Sequence, residues 1–135
     1  MEGNHWNLQG GCHCGRVRFR AKLPRSAGEA LVAHACNCSI CAKSGFQHLI
    51  VPAAAFDLLQ GKEDLSCYTF NSGVARHYFC RHCGIKSFYV PRSNPDGYSI
   101  NLRCLDERPA GVRVEPFDGK NWERHAGALA GLSRR

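Results

Sequence analysis

Seven of the nine cysteines fall into tight groups with metal-ligand spacing. Cys12-His13-Cys14-Gly15 and Cys80-Arg81-His82-Cys83-Gly84 each put two thiols on one turn. The glycine after each pair lets the backbone curl back without a Cβ clash. Two such knuckles supply four thiolates, the closed tetrahedral set of a structural zinc. A site of that kind would clamp an early strand to a distant hairpin and contribute folding free energy directly.

Cys36-Asn37-Cys38-Ser39-Ile40-Cys41 supplies three more thiolates with no adjoining fourth cysteine. A zinc with three protein ligands keeps one position for water or substrate, which is how catalytic sites differ from structural ones. Four residues elsewhere could close that position: His34, His48, Cys67 and Cys104. A redox dithiol at Cys38 and Cys41 is the weaker reading, because the motif lacks a βαβ setting. Three thiolates on Zn²⁺ leave one net negative charge, so an open site here is a poor activator of water. It can lower the pKa of a substrate thiol and hold the thiolate at neutral pH. That favours making or breaking a carbon–sulfur bond over hydrolysis.

These knuckles need strand ends to carry them. Residues 16–23 alternate basic and apolar, the period of a strand with one wet and one dry face. Residues 30–35 read as a strand running into the three-cysteine knot, and 46–51 as the next. The PAAAFDLLQG connection after it has room for one helical turn. Residues 65–70 and 75–79 flank Asn71-Ser72-Gly73, a hairpin signal. Further strands are expected at 85–90, 98–103 and 111–117, then a short closing helix at 118–123. The first ten residues and the tail after Ala126 are expected to be loosely held. Cys67 reads as a buried strand thiol. The sum is a mainly β fold of short antiparallel strands with zinc knuckles, in one domain over residues 1–135.

Composition agrees with a globular chain: 135 residues, 44% hydrophobic and 21% charged. The longest nearly unbroken apolar run, residues 49–56, is far below the roughly 20 residues of a membrane span. The opening MEGNHWNLQGG lacks the basic and apolar blocks of a secretory signal, so a cytoplasmic location is expected. The formal charge of +7 counts cysteines as neutral; seven thiolates and two Zn²⁺ would bring it to about +4. Basic residues are not clustered, which argues against a nucleic-acid partner and leaves attraction of a small anionic substrate.

GGCHCGRVRF, ACNCSICAKSG, HLIVPAAAFDLLQG, YTFNSGVARHYFCRHCGIKSFYVPRSNPDGY, NLRCLDE and FDGKNWE together resemble the family of glutathione-dependent formaldehyde-activating enzymes, which includes centromere protein V. The resemblance covers about residues 10–123. It implies a β-tent fold and two zincs, with Cys12, Cys14, Cys80 and Cys83 holding the structural ion and Cys36, Cys38 and Cys41 the catalytic one. The implied activity is that of a carbon–sulfur lyase: reversible condensation of formaldehyde with glutathione to S-hydroxymethylglutathione. The alternative is a non-enzymatic, zinc-stabilised binding module for an acidic partner such as tubulin or nucleic acid.

Glutathione carries two carboxylates and an ammonium, so its pocket should offer cations and backbone donors. Lys43, Arg92, Ser93 and Asn94 are candidates for those contacts. His48 is a candidate both for contact and, with an ordinary pKa near 6.5, for proton shuttling.

Overall fold

The structure, a computed structural model, describes residues 5–25, 30–70 and 72–134. Strand β1 (His5–Gly11) pairs antiparallel with β2 (Arg18–Pro24), which pairs in turn with β5 (Phe56–Gln60). The expected alternation in β2 is present: Phe19, Ala21 and Leu23 are buried while Arg20 and Lys22 face solvent. Arg18 lies on the same wet face, where it forms a bidentate surface pair with Asp106.

The larger sheet has five strands in the order β10-β3-β4-β9-β8. They are β3 (Val32–Cys36), β4 (Gln47–Pro52), β8 (Phe88–Tyr89), β9 (Gly97–Asn101) and β10 (Arg113–Phe117). Its pairings are antiparallel except β10, which runs parallel to β3. A hairpin of β6 (Leu65–Tyr68) and β7 (His77–Cys80) completes the strands, shorter than expected. Asn71 of its turn lies outside the described residues.

Strand β4 shows why this scaffold has both a core and a cavity. Leu49 and Val51 are fully buried among Phe19, Phe88 and Ile100, between the two larger sheets. His48 and Ile50, on the opposite face, line a cavity. Alternation along a strand thus gives each face its own task. The core side is closed by aromatic contacts, with Phe56 centred 5.8 Å from Phe19, 4.8 Å from Phe88 and 4.3 Å from Tyr98. Truncating any one of these rings to alanine costs about 3–5 kcal/mol.

Several expectations are corrected. Residues 5–10 are not loose: they form β1, with Trp6 and Leu8 buried. Residues 1–4 lie outside the described residues. The connection after β4 does contain a helical turn, Ala53–Ala55, but its second half is β5. The three-cysteine knot runs into a short helix, α1 (Ser39–Ser44), closed by Gly45, whose N–H donates to Cys41 O. After α2 (Trp122–His125) the tail is also held. Helix α3 (Gly127–Ala130) and a final 3₁₀ turn bury Leu129 and Ser133. The reason is polar: the Asn94 amide donates to Leu129 O at 2.9 Å, Ala130 O at 3.1 Å and Ser133 Oγ at 3.0 Å.

Candidate metal centre and cavity

The first cysteine group sits where two hairpins meet. Cys12 and Cys14 occupy the turn between β1 and β2, closed by Cys12 N–H donating to Val17 O at 3.0 Å. Cys80 ends β7 and Cys83 lies in the turn that follows. Gly15 and Gly84 adopt φ of 85° and 78°, the left-handed conformation that the motif predicts after each pair. All four sulfurs lie within 4.8 Å of one another. Cys14 Sγ is 3.6 Å from both Cys12 Sγ and Cys80 Sγ. That is far beyond a disulfide and close to the edge of about 3.8 Å in a tetrahedron with Zn–S near 2.3 Å. Donor chemistry and spacing fit a closed thiolate site compatible with zinc.

The second group lies at the end of β3. Cys36 closes that strand, Cys38 stands at the N-cap of α1, and Cys41 is buried in the helix. Their sulfurs also lie within 4.8 Å of one another, and among the described residues no other His, Cys, Asp or Glu joins the set. The neighbouring sulfurs of Cys36 and Cys41 hold Cys38 well below the ordinary thiol range, whereas Cys41 is pushed up by Cys36 and Cys38 and by burial. Three soft donors with one thiolate favoured at neutral pH also fit a metal compatible with zinc.

A segment that the cysteine pattern did not reveal lies over this group. Asn37 Nδ2 donates to Asp118 Oδ1 at 3.0 Å, and Asn37 Oδ1 accepts from Lys120 N–H at 2.9 Å. Asn37 N–H donates to Phe117 O at 3.2 Å. Gly119 between them lies so near that a Cβ there would collide with Cys36 Sγ. The Asp-Gly pair in FDGKNWE was the available signal, but nothing in sequence gave its distance from Cys36.

His48 lies under the same group, 5% exposed. Its Nε2 is 3.1 Å from Cys41 Sγ, and its Nδ1 lies 3.2 Å from Ser99 Oγ and 3.1 Å from Tyr89 Oη. Burial, followed by the charge of Lys86, lowers its pKa to about 3. In the neutral ring, hydroxyls donating to Nδ1 leave Nε2–H to donate to the Cys41 sulfur. With both nitrogens engaged, His48 suits holding Cys41 in place better than shuttling protons to solvent.

The three sulfurs open into a cavity of about 350 Å³. Its walls include His34, Ile50, His77, Tyr89, Phe117 and Trp122. Arg92 lines it too, its guanidinium 3.8 Å above the Trp122 ring. Ser93 is at the same wall, its hydroxyl donating to Asn94 Oδ1 at 2.6 Å. Asn94 is fully buried behind that wall and engaged by the tail. Lys43 is exposed on α1 and borders a separate depression with Tyr68 and Phe70. Cys67 is exposed on β6, contrary to expectation, and belongs to neither sulfur group. Cys104 is half-buried, its Sγ 3.9 Å from Lys86 O, also outside both groups.

Sequence reasoning missed His77 and Lys86. Lys86 Nζ is 2.6 Å from His77 Nδ1 and sits 3.9 Å over the Tyr89 ring. The two belong to separate segments that only the fold brings together, so no local motif marks them.

A mainly β scaffold of short strands carries one four-sulfur and one three-sulfur group, each of which could hold a metal ion. Residues 7–120 match the family described as glutathione-dependent formaldehyde-activating enzyme, and the chain belongs to that family. Among solved structures it is similar to a Rhodobacter sphaeroides protein determined by crystallography in a structural genomics programme. The identity is 31% and the TM-score 0.68, over 81% of this chain and 99% of that one. No helix among the described residues is long and apolar enough to cross a membrane.

Proposed function

We propose that the protein is a zinc-dependent carbon–sulfur lyase that interconverts formaldehyde plus glutathione with S-hydroxymethylglutathione, in the cytoplasm. The observation that carries this reading is the three-sulfur group of Cys36, Cys38 and Cys41 facing a cavity large enough for a peptide-sized thiol. Family membership supports glutathione and formaldehyde as the substrate class. Cys12, Cys14, Cys80 and Cys83 would hold a structural zinc, and the three-sulfur group a second. That second ion would lower the pKa of a substrate thiol. The chain's own residues do the rest. The Asn37 bonds and Gly119 fix the sulfur group, and His48 orients Cys41. Arg92 and Lys120, at the cavity wall, attract the carboxylates of glutathione. Trp122 and Phe117 exclude water from the reacting carbon.

The test is titration of the two-zinc protein with glutathione in a calorimeter, together with exchange spectroscopy of S-hydroxymethylglutathione. Saturable binding with accelerated exchange is expected, and Cys38→Ser should abolish the acceleration. A two-zinc protein that neither binds glutathione nor accelerates exchange overturns the reading.

A further inference from the structure

The cavity contains a second piece of chemistry, on the wall formed by β7 and β8. His77 is 4% exposed and lies flat against Tyr89, ring centres 4.9 Å apart and planes 11° apart. Its Nδ1 meets Lys86 Nζ at 2.6 Å. Its Nε2 is buried and has no hydrogen-bond partner among the described residues. A buried imidazole nitrogen left in that state costs about 1–3 kcal/mol, which a bound oxygen would recover. Lys86 lies between the rings of Tyr89 and Phe46, 3.9 Å and 4.9 Å from their centres. A mostly buried lysine whose partner is a neutral histidine stabilises a fold poorly compared with an apolar side chain of similar size. The arrangement therefore calls for a use.

An ammonium can only donate, so Nδ1 must accept and the ring proton must sit on Nε2. The neutral state of the ring is secured by burial and by the lysine charge, which lower His77 to about 4. Burial lowers Lys86 itself to about 8, against the raising effect of Cys41 and Cys38. Lys86 is thus charged at neutral pH yet able to give up its proton.

We propose that His77 is a catalytic proton donor to the substrate oxygen, with Lys86 as the positioning residue that sets its tautomer and replaces its proton. This rests on the reading that a thiol and a carbonyl compound react in this cavity. In the condensing direction the thiolate sulfur bonds to the carbonyl carbon and the π pair of the C=O bond moves to oxygen. That oxygen takes the proton from His77 Nε2, while Nδ1 takes one from the Lys86 ammonium. The pair is left as a neutral imidazole of the opposite tautomer beside a neutral amine. The next thiol restores it, its proton passing to Nε2 as the Nδ1 proton returns to Lys86. The thiol proton therefore ends on the hydroxyl of the product, and the reverse reaction retraces each transfer.

The titratable groups near Lys86 are His77 from β7, His48 from β4, Tyr89 from β8, Cys38 and Cys41 from the sulfur group, and Cys104 near its backbone. The experiment uses the full chain with both metal sites loaded. Nitrogen-15 NMR at pH 7 should show His77 neutral with the proton on Nε2. An Nδ1–H tautomer or an imidazolium overturns the proposal, with or without activity. In exchange kinetics, His77→Gln should lower kcat by about 100-fold or more, the range of a lost acid–base group. Glutathione affinity by calorimetry should stay within about threefold. The wild-type condensing kcat should fall above about pH 8, where Lys86 loses its proton. Lys86→Met should remove that limb, and Lys86→Arg, whose guanidinium does not give up its proton, should lower the rate about as far as His77→Gln while leaving the Nε2–H tautomer in place. Wild-type exchange activity with His77→Gln at the wild-type rate sinks the relay alone. Wild-type protein that neither binds glutathione nor exchanges it sinks the glutathione reading, while the tautomer measurement still decides the Lys86–His77 arrangement.

Discussion

Gly119 and Cys36 are in backbone-to-sulfur contact: a Cβ on the glycine would overlap Cys36 Sγ and stand 3.2 Å from Cys38 Cβ. The contact joins a loop after β10 to the knuckle after β3, so the sulfur group is shaped by chain far away in sequence. Gly119→Ala should therefore displace Cys36 without touching the four-sulfur group. Metal analysis should find about one zinc per chain instead of two, with the circular dichroism spectrum unchanged. Two tightly held zincs in the variant would show that the loop does not constrain the site.

The two sulfur groups should differ in what their loss does. Cys80 is fully buried and packs within the core, and its group joins two hairpins. Structural zinc sites contribute roughly 10–16 kcal/mol, as much as the whole stability of a typical domain. Cys80→Ser should leave the chain without a cooperative thermal transition, whereas Cys36→Ser should melt cooperatively within a few degrees of wild type. Equal melting behaviour in the two variants would refute the division into structural and reactive groups.

Acid should destabilise the fold through its buried histidines. His77 is lowered to about 4 from 6.5, chiefly by burial. Between those values the unfolded chain binds a proton that the folded chain does not. The stability from keeping His77 neutral is therefore complete above about pH 6.5 and is lost as pH falls toward 4. Each such group adds a slope of about 1.4 kcal/mol per pH unit in that window. Denaturant titrations of His77→Phe between pH 4.5 and 6.5 should show a slope shallower by about that amount, whatever the absolute stability. An unchanged slope would place His77 in a protonated, solvated setting.

Asn94 should act on stability and not on substrate. Its amide is engaged by two carbonyls and a hydroxyl of the C-terminal tail. Asn94→Ala should cost about 1–3 kcal/mol by orphaning buried acceptors. It should also open the tail to limited proteolysis, with the KM for glutathione unaltered. A raised KM with an intact, protease-resistant tail would return Asn94 to the substrate pocket.

What was legible in the sequence was what is local. A C-x-C or C-x-x-C turn closes on itself, so all seven clustered cysteines announce their grouping before any fold is known. Strands β2, β3 and β4 were legible from equally local marks: alternation in β2, the knot that β3 runs into, and the apolar run of β4 ended by Pro52. Strand β1 alternates too, at Trp6-Asn7-Leu8-Gln9, but the run is short and sits at the start of the sequence, where fraying is the ordinary expectation; its burial depends on pairing with β2. The tail was misjudged because its anchor, Asn94, lies more than thirty positions upstream. Gly119 over Cys36 and Lys86 against His77 are contacts between separate segments, and a single sequence carries no distance between segments.

Strand β4 places the cavity wall and the oily interior on alternate positions of six residues. Reshaping the cavity for a different ligand is therefore confined to every second side chain, and a one-residue insertion would exchange the two environments at a stroke. Any useful redesign of this strand must proceed by substitution, with its phase left untouched.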